Sequence, residues 1–117
     1  MSMNTIKINE EVSLSQGVTP EEGLPIYDKI IKLLKEGKHI TLDFENMELV
    51  TTAFLNVIIG KLYEKYTSEQ LKKMLSFEHL TDGIAMRIKA VSDTAKEYYK
   101  NKDQFNQDVD SILYGHN

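Results

Sequence analysis

Hydrophobic positions change period along the chain, and each change marks an element. Ile40, Leu42 and Phe44 alternate with Thr41, Asp43 and Glu45, the period of two that sets one face of a strand on a core and the other toward polar surroundings. Asn46 then supplies a turn residue, and Leu49 and Val50 keep the link apolar. From Ala53 onward Phe54, Leu55, Ile58, Ile59, Leu62, Tyr63 and Tyr66 recur at helical spacing. The stretch from Ile40 to Leu62 therefore reads as a strand feeding a helix that folds back onto its sheet. Such a connection leaves the free amides of the first helical turn, near Thr51 to Phe54, at the rim of the sheet.

Other segments follow the same logic. Ile6 and Ile8 around Lys7 predict a first strand over Thr5 to Ile8, and Val12 with Leu14 gives a weaker second one. Thr19-Pro20-Glu21-Glu22 has the form of a capping box with proline at the first helical position. It opens a helix whose apolar face is Ile26, Ile30, Ile31, Leu33 and Leu34, with Lys29, Lys32 and Lys35 toward water and Gly37 as the stop. Pro25 lies past the first turn, so a separate entry turn before the helix proper is expected. Gly60 falls inside the central helix, where close approach to the sheet would justify it. Thr67 to Gln70 repeats the capping pattern for a short helix through Lys73, and Met74 to Phe77 resembles a third strand. Thr81 and Asp82 precede the stripe Ile84, Ala85, Ile88, Val91, Ala95 and Tyr98. Beyond Asn101 the chain turns polar, although Phe105, Val109, Ile112 and Leu113 keep helical intervals. The expected organisation is one α/β domain over residues 1–101, a small sheet with helices packed on it, and a separable tail over 102–117 that can form one more short helix.

Composition narrows the chemistry. A chain of 117 residues is long enough for one core, and it contains no cysteine, which removes disulfides, thiolate nucleophiles and thiolate metal sites and fits a reducing cytoplasm. Eighteen acidic against fourteen basic side chains give a net charge of −4, the wrong sign for holding nucleic acid through its phosphates. Met1 to Asn9 lacks the charged-then-apolar pattern of a leader, and no stretch is apolar for the length of a membrane span. The expected protein is soluble, cytoplasmic and uncleaved, with no nucleic-acid or membrane partner. His39, His79 and His116 are scattered, with no ligand spacing on a helix, and no phosphate loop or nucleophile elbow is present. No catalytic residue, cofactor or metal site is expected. Asp43 and Glu45 share a strand face; the simplest reading has Asp43 bonded to the adjoining turn and Glu45 solvated. Tyr98 and Tyr99, beside lysines, read as one core and one surface residue rather than a base-stacking pair.

Leu42-Asp43-Phe44, Met47 through Ala53 and then Val57-Ile58-Ile59-Gly60 together resemble the central motif of STAS domains, the fold of bacterial-type anti-sigma factor antagonists. They are also similar to a STAS-like family of uncharacterised function, whose members read Leu-Asp-Phe, a valine-rich link and then Thr-Ser-Ser-Phe. The similarity runs from about Thr19 to Asn101. It implies a non-enzymatic, protein-binding regulatory module. Its partner would be a histidine-kinase-like ATPase or sigma-regulator protein, met through a rim of Leu49, Val50, Thr51, Thr52, Ala53, Phe54 and Asn56. In the antagonists a serine in an Asp-Ser-Ser-Gly turn is phosphorylated by the partner. That turn falls on Thr51 to Phe54, which puts Ala53 at the acceptor and the bulkier Phe54 at the glycine. Thr52 is the nearest replacement hydroxyl, and it is expected to be occupied in capping the helix. Two other classes remain open: a small enzyme or ligand-binding domain using Asp43, Glu45 and His79, and a structural subunit docking through its tail.

Overall fold

The computed structural model describes residues 4–114, with side chains of the last helix described to residue 100. The elements in chain order are β1 (Asn4–Lys7), the single turn α1 (Ile8–Glu11), β2 (Gln16–Gly17), α2 (Pro20–Lys35), β3 (Ile40–Asp43), β4 (Leu49–Val50) and α3 (Thr52–Ile58). A 3-10 segment (Gly60–Glu64), α4 (Ser68–Met74), β5 (Leu75–Glu78) and α5 (Asp82–Tyr114) complete the chain. β3 is the centre of a three-stranded parallel sheet, paired with β1 on one side and β5 on the other, while β2 and β4 form a separate parallel pair. The architecture is α/β, with helices packed on a small sheet.

Ile40, Leu42 and Phe44 are buried as their alternation requires. So are Thr41 and Asp43, which the alternation places toward polar surroundings. The reason is position: a central strand is flanked on both sides, so neighbouring side chains cover short polar groups on either face. Thr41 Oγ1 is buried without a hydrogen-bond partner among the described residues. The core joins the β3 residues to Ile26, Ile30 and Leu34 of α2, Phe54, Leu55 and Ile58 of α3, Leu62 of the 3-10 segment, and Ile84, Ile88 and Val91 of α5. Phe44 meets Phe77 of β5 with ring centroids 6.5 Å apart.

Several expected boundaries move for identifiable reasons. Ile8 is buried but starts α1 rather than ending β1, and the second strand lies at Gln16–Gly17, after a turn in which Leu14 and Ser15 both take positive φ (55° and 56°). The last strand ends at Glu78, one residue later than the sequence indicates. α2 runs unbroken through Pro25. Pro25 and Glu21, whose carbonyl loses its donor, are both exposed, so water can take the missing bond. The long central helix is divided instead. α3 ends at Ile58, Ile59 leaves helical geometry, and the chain continues as a 3-10 segment, in keeping with three successive β-branched residues followed by glycine. Gly60 faces α5 rather than the sheet: a Cβ there would lie 3.4 Å from Val91 Cγ1.

Both expected capping boxes form, at Thr19 with Glu22 and at Thr67 with Gln70. α5 buries Ile84, Ile88, Val91 and Ala95, but Ala85 and Tyr98 are exposed and Tyr99 is half-buried, so neither tyrosine is a core residue. α5 also continues past Asn101 to Tyr114, in place of a break and a separate short helix. The side chains of Phe105, Val109, Ile112 and Leu113, and all of His116, lie outside the described residues.

Phe44 is fully enclosed at the centre of this packing, so Phe44→Ala should destabilise by about 3–5 kcal/mol, a large share of a small domain's stability. Chemical denaturation of the two proteins checks it; equal midpoints would show that the core is wrongly placed.

Candidate functional site

The carboxyl ends of the parallel strands hold two groups of side chains. The first surrounds the start of α3. Thr51 is the helix cap: its Oγ1 accepts from the Phe54 amide at 3.2 Å and donates to the Val18 carbonyl at 2.6 Å, while its own amide donates to the Gly17 carbonyl at 3.0 Å. One threonine thereby joins the helix start to the chain leaving β2. Thr52, where the sequence reading put the cap, is the first helical residue and its side chain is exposed. Its hydroxyl is therefore not engaged as expected.

The seven rim residues do not form one surface. Leu49 (43 % exposed), Thr52, Ala53 and Asn56 face solvent and Thr51 is half-buried, whereas Val50 and Phe54 are in the core. Phe54 adds no bulk to the rim, because its ring turns inward against Gly17, where a Cβ would come within 2.7 Å of it. A side chain at Gly17 and the ring at Phe54 cannot share that space. Leu14, 83 % exposed, precedes β2 at the end where Gln16 pairs with Leu49, so two exposed leucines flank the same strand pair.

The second group lies at the ends of β3 and β5. Asp43 is the last residue of β3, and its Oδ1 accepts from the Glu45 amide at 2.9 Å, the turn bond that the sequence implies. Glu45 is exposed, also as expected. His79, remote in sequence, follows β5 in left-handed backbone (φ 56°) and places Nδ1 2.8 Å from Asp43 Oδ1 and Nε2 3.8 Å from Glu45 Oε2. Strand pairing produces this meeting: Asp43 is in register with Glu78, immediately before His79. Spacing along the chain gives no hint of it. A cleft of about 190 Å³ beside the group is lined by Lys7, Asn9, Glu10, Asp43, Glu45 and Asn46.

The charges respond to these contacts. Burial pushes the Asp43 carboxyl up, but the Glu45 amide and His79 outweigh it and hold the group below its ordinary value. The hydrogen bond and negative charge of Asp43 hold the His79 imidazole above its ordinary value, against a smaller opposing effect of desolvation, with Glu45 and Glu78 adding to the rise.

The family model described as a STAS-like domain of unknown function matches residues 22–85, which span α2 to the start of α5 and include both groups except for the segments before α2. The chain belongs to this family. No curated protein and no solved structure matches it. Family membership covers the rim, Asp43, Glu45 and His79, and leaves β1 and β2 outside the match. Among the described residues no helix is long and apolar enough to cross a membrane.

Two outcomes follow from the geometry. Thr51→Val should lose about 1–2 kcal/mol through the cap and the Val18 contact, while Thr52→Val should stay within about 0.5 kcal/mol of the parent; denaturation midpoints distinguish them, and the reverse order would contradict the capping assignment. Because its folded-state pKa is raised, His79 adds stability that is complete below its unfolded value of about 6.5 and is lost as pH rises through the folded value. Asp43, with a lowered pKa, adds stability above about pH 4 that is lost as pH falls further. The advantage of the parent protein over His79→Asn should therefore shrink as pH rises above about 6.5. An advantage that is constant over this range would show that the pair does not form.

Proposed function

We propose that this STAS-like domain is a non-enzymatic regulatory module that binds another protein, in a reducing cytoplasm, through the exposed part of its rim: Leu49, Thr52, Ala53 and Asn56. The observation that carries the reading is the exposure of these side chains around a helix start fixed from below by Thr51 and Phe54. A rigid edge with an exposed leucine and small neighbours suits docking, since little order has to be gained on binding. The resemblance to antagonist domains makes a histidine-kinase-like ATPase or sigma-regulator protein the partner type. Ala53 offers no hydroxyl at the antagonists' acceptor position, so the contact is not broken by phosphate in their manner.

A second reading is supported by the meeting of Asp43, Glu45 and His79 beside a cleft. It makes the protein a small enzyme or ligand-binding domain with its site at the strand ends. Docking through the tail, the third class, depends on side chains beyond those described.

Affinity capture from native lysate, repeated with Ala53→Glu and with His79→Asn, separates the first two readings. The rim reading predicts a retained protein that Ala53→Glu releases and His79→Asn does not, with both variants melting as folded proteins. Capture insensitive to Ala53→Glu would contradict it.

A further inference from the structure

Asp43, Glu45 and His79 offer two carboxylates and an imidazole, one donor atom from each lying within 4.8 Å of the others. We infer that these three residues bind a single divalent first-row cation, of which Zn²⁺ and Mn²⁺ are the representative probes, at a site separate from the rim.

Donor geometry is the first support. Donors sharing one tetrahedral ion at bonds of about 2.0–2.2 Å lie roughly 3.3–3.6 Å apart. One donor atom from each residue lies within 4.8 Å of the others, wider than that spacing, with Asp43 2.8 Å from Nδ1 and Glu45 3.8 Å from Nε2 on the other edge of the ring. A bound ion takes one nitrogen, so the ring has to reorient and the Glu45 carboxylate has to follow it. It has room to do so: the side chains of His79 and Glu45 are 51 % and 54 % exposed, against 7 % for Asp43. Asp43 is thus the fixed ligand, its Oδ1 held by the Glu45 amide and its Oδ2 accepting no hydrogen bond among the described residues. The other two donors close onto it.

Local charge is the second support. Glu10 lines the adjoining cleft, and Glu78 is the cross-strand neighbour of Asp43, so four carboxylates gather here. Among the described residues that line the cleft, Lys7 is the one cationic side chain. Carboxylates thus outnumber cationic side chains around the cluster, a surplus of negative charge that a dication relieves. Position is the third: in parallel sheets ligands gather at the carboxyl ends of the strands, where Asp43 and His79 lie. The mixed nitrogen and oxygen set favours a first-row ion over Ca²⁺ or Mg²⁺, which take oxygen ligands throughout. Three protein ligands leave the ion's remaining positions to water.

Isothermal titration of the full chain with zinc chloride, and separately with manganese chloride, at about pH 7.5 tests the inference, because there the ion can displace a proton from the imidazole to the buffer. One ion per chain is expected. His79→Asn, chosen because asparagine tolerates left-handed backbone, and Glu45→Gln should each weaken binding at least about tenfold. His39→Asn, away from the cluster, should leave it unchanged. Asp43→Asn should abolish binding if it folds, and the two exposed variants decide the question if it does not. Absence of saturable binding up to about 1 mM of either ion, or binding equally strong in His79→Asn and Glu45→Gln, would overturn the site and leave the group as an ion pair. Both measurements use the isolated protein, so either result leaves the rim reading to its own test.

Discussion

The packing of the Phe54 ring against Gly17 is the constraint on which the functional end of this domain depends. Gly17 lies in β2 and Phe54 in the first turn of α3, and the ring occupies the space that any larger residue at Gly17 would need. Thr51 completes the joint with its amide on the Gly17 carbonyl and its hydroxyl on the Val18 carbonyl. These two bonds, the cap bond from the Phe54 amide to Thr51 Oγ1 and one aromatic contact fix where α3 starts. Loss of this joint would free the helix start, and the exposed residues that follow, Thr52, Ala53 and Asn56, would lose their common orientation. The family's central motif can therefore be read as a packing device before it is read as a binding one: its threonine is a cap and its phenylalanine is core.

Much of the frame was legible because it depends on local rules. Alternation found β1 to within a residue and the start of β3, whose ladder ends at Asp43 rather than Glu45, and the capping boxes at Thr19 and Thr67 found two helix starts, because a side chain bonding three residues ahead is a local event. Legibility ended where distant segments decide. Burial of Thr41 and Asp43 follows from β3 being central, which no single-strand pattern records. Assigning Phe54 to the rim failed for the same reason, since the glycine that admits its ring is in another strand. Breaking the central helix at Ile59 had a local signal, the β-branched run before Gly60, which the apolar period outweighed.

The site at the strand ends was half legible. Asp43, Glu45 and His79 could be named as chemically interesting residues, and the bond from the Glu45 amide to Asp43 is a local turn feature. The contact between His79 and Asp43 needed the register that sets β5 beside β3. Parallel pairing carries both strands to the same end of the sheet, so chemistry collects there without any motif in the chain. The same topology sets β4 and the start of α3 at the end of its own strand pair. One domain thus presents two differently made faces, an exposed rim of small and apolar residues and a charged pair of strand ends.

If the exposed rim meets a partner protein as proposed, site-directed photocrosslinking in living cells captures the contact. A photoreactive aromatic residue placed at Ala53 or Asn56, both exposed, is predicted to give one dominant adduct with a second protein. The same probe at Lys35, on the exposed face of α2, is predicted to give none. Equal adducts from all three positions, or none from either rim position, would contradict the account.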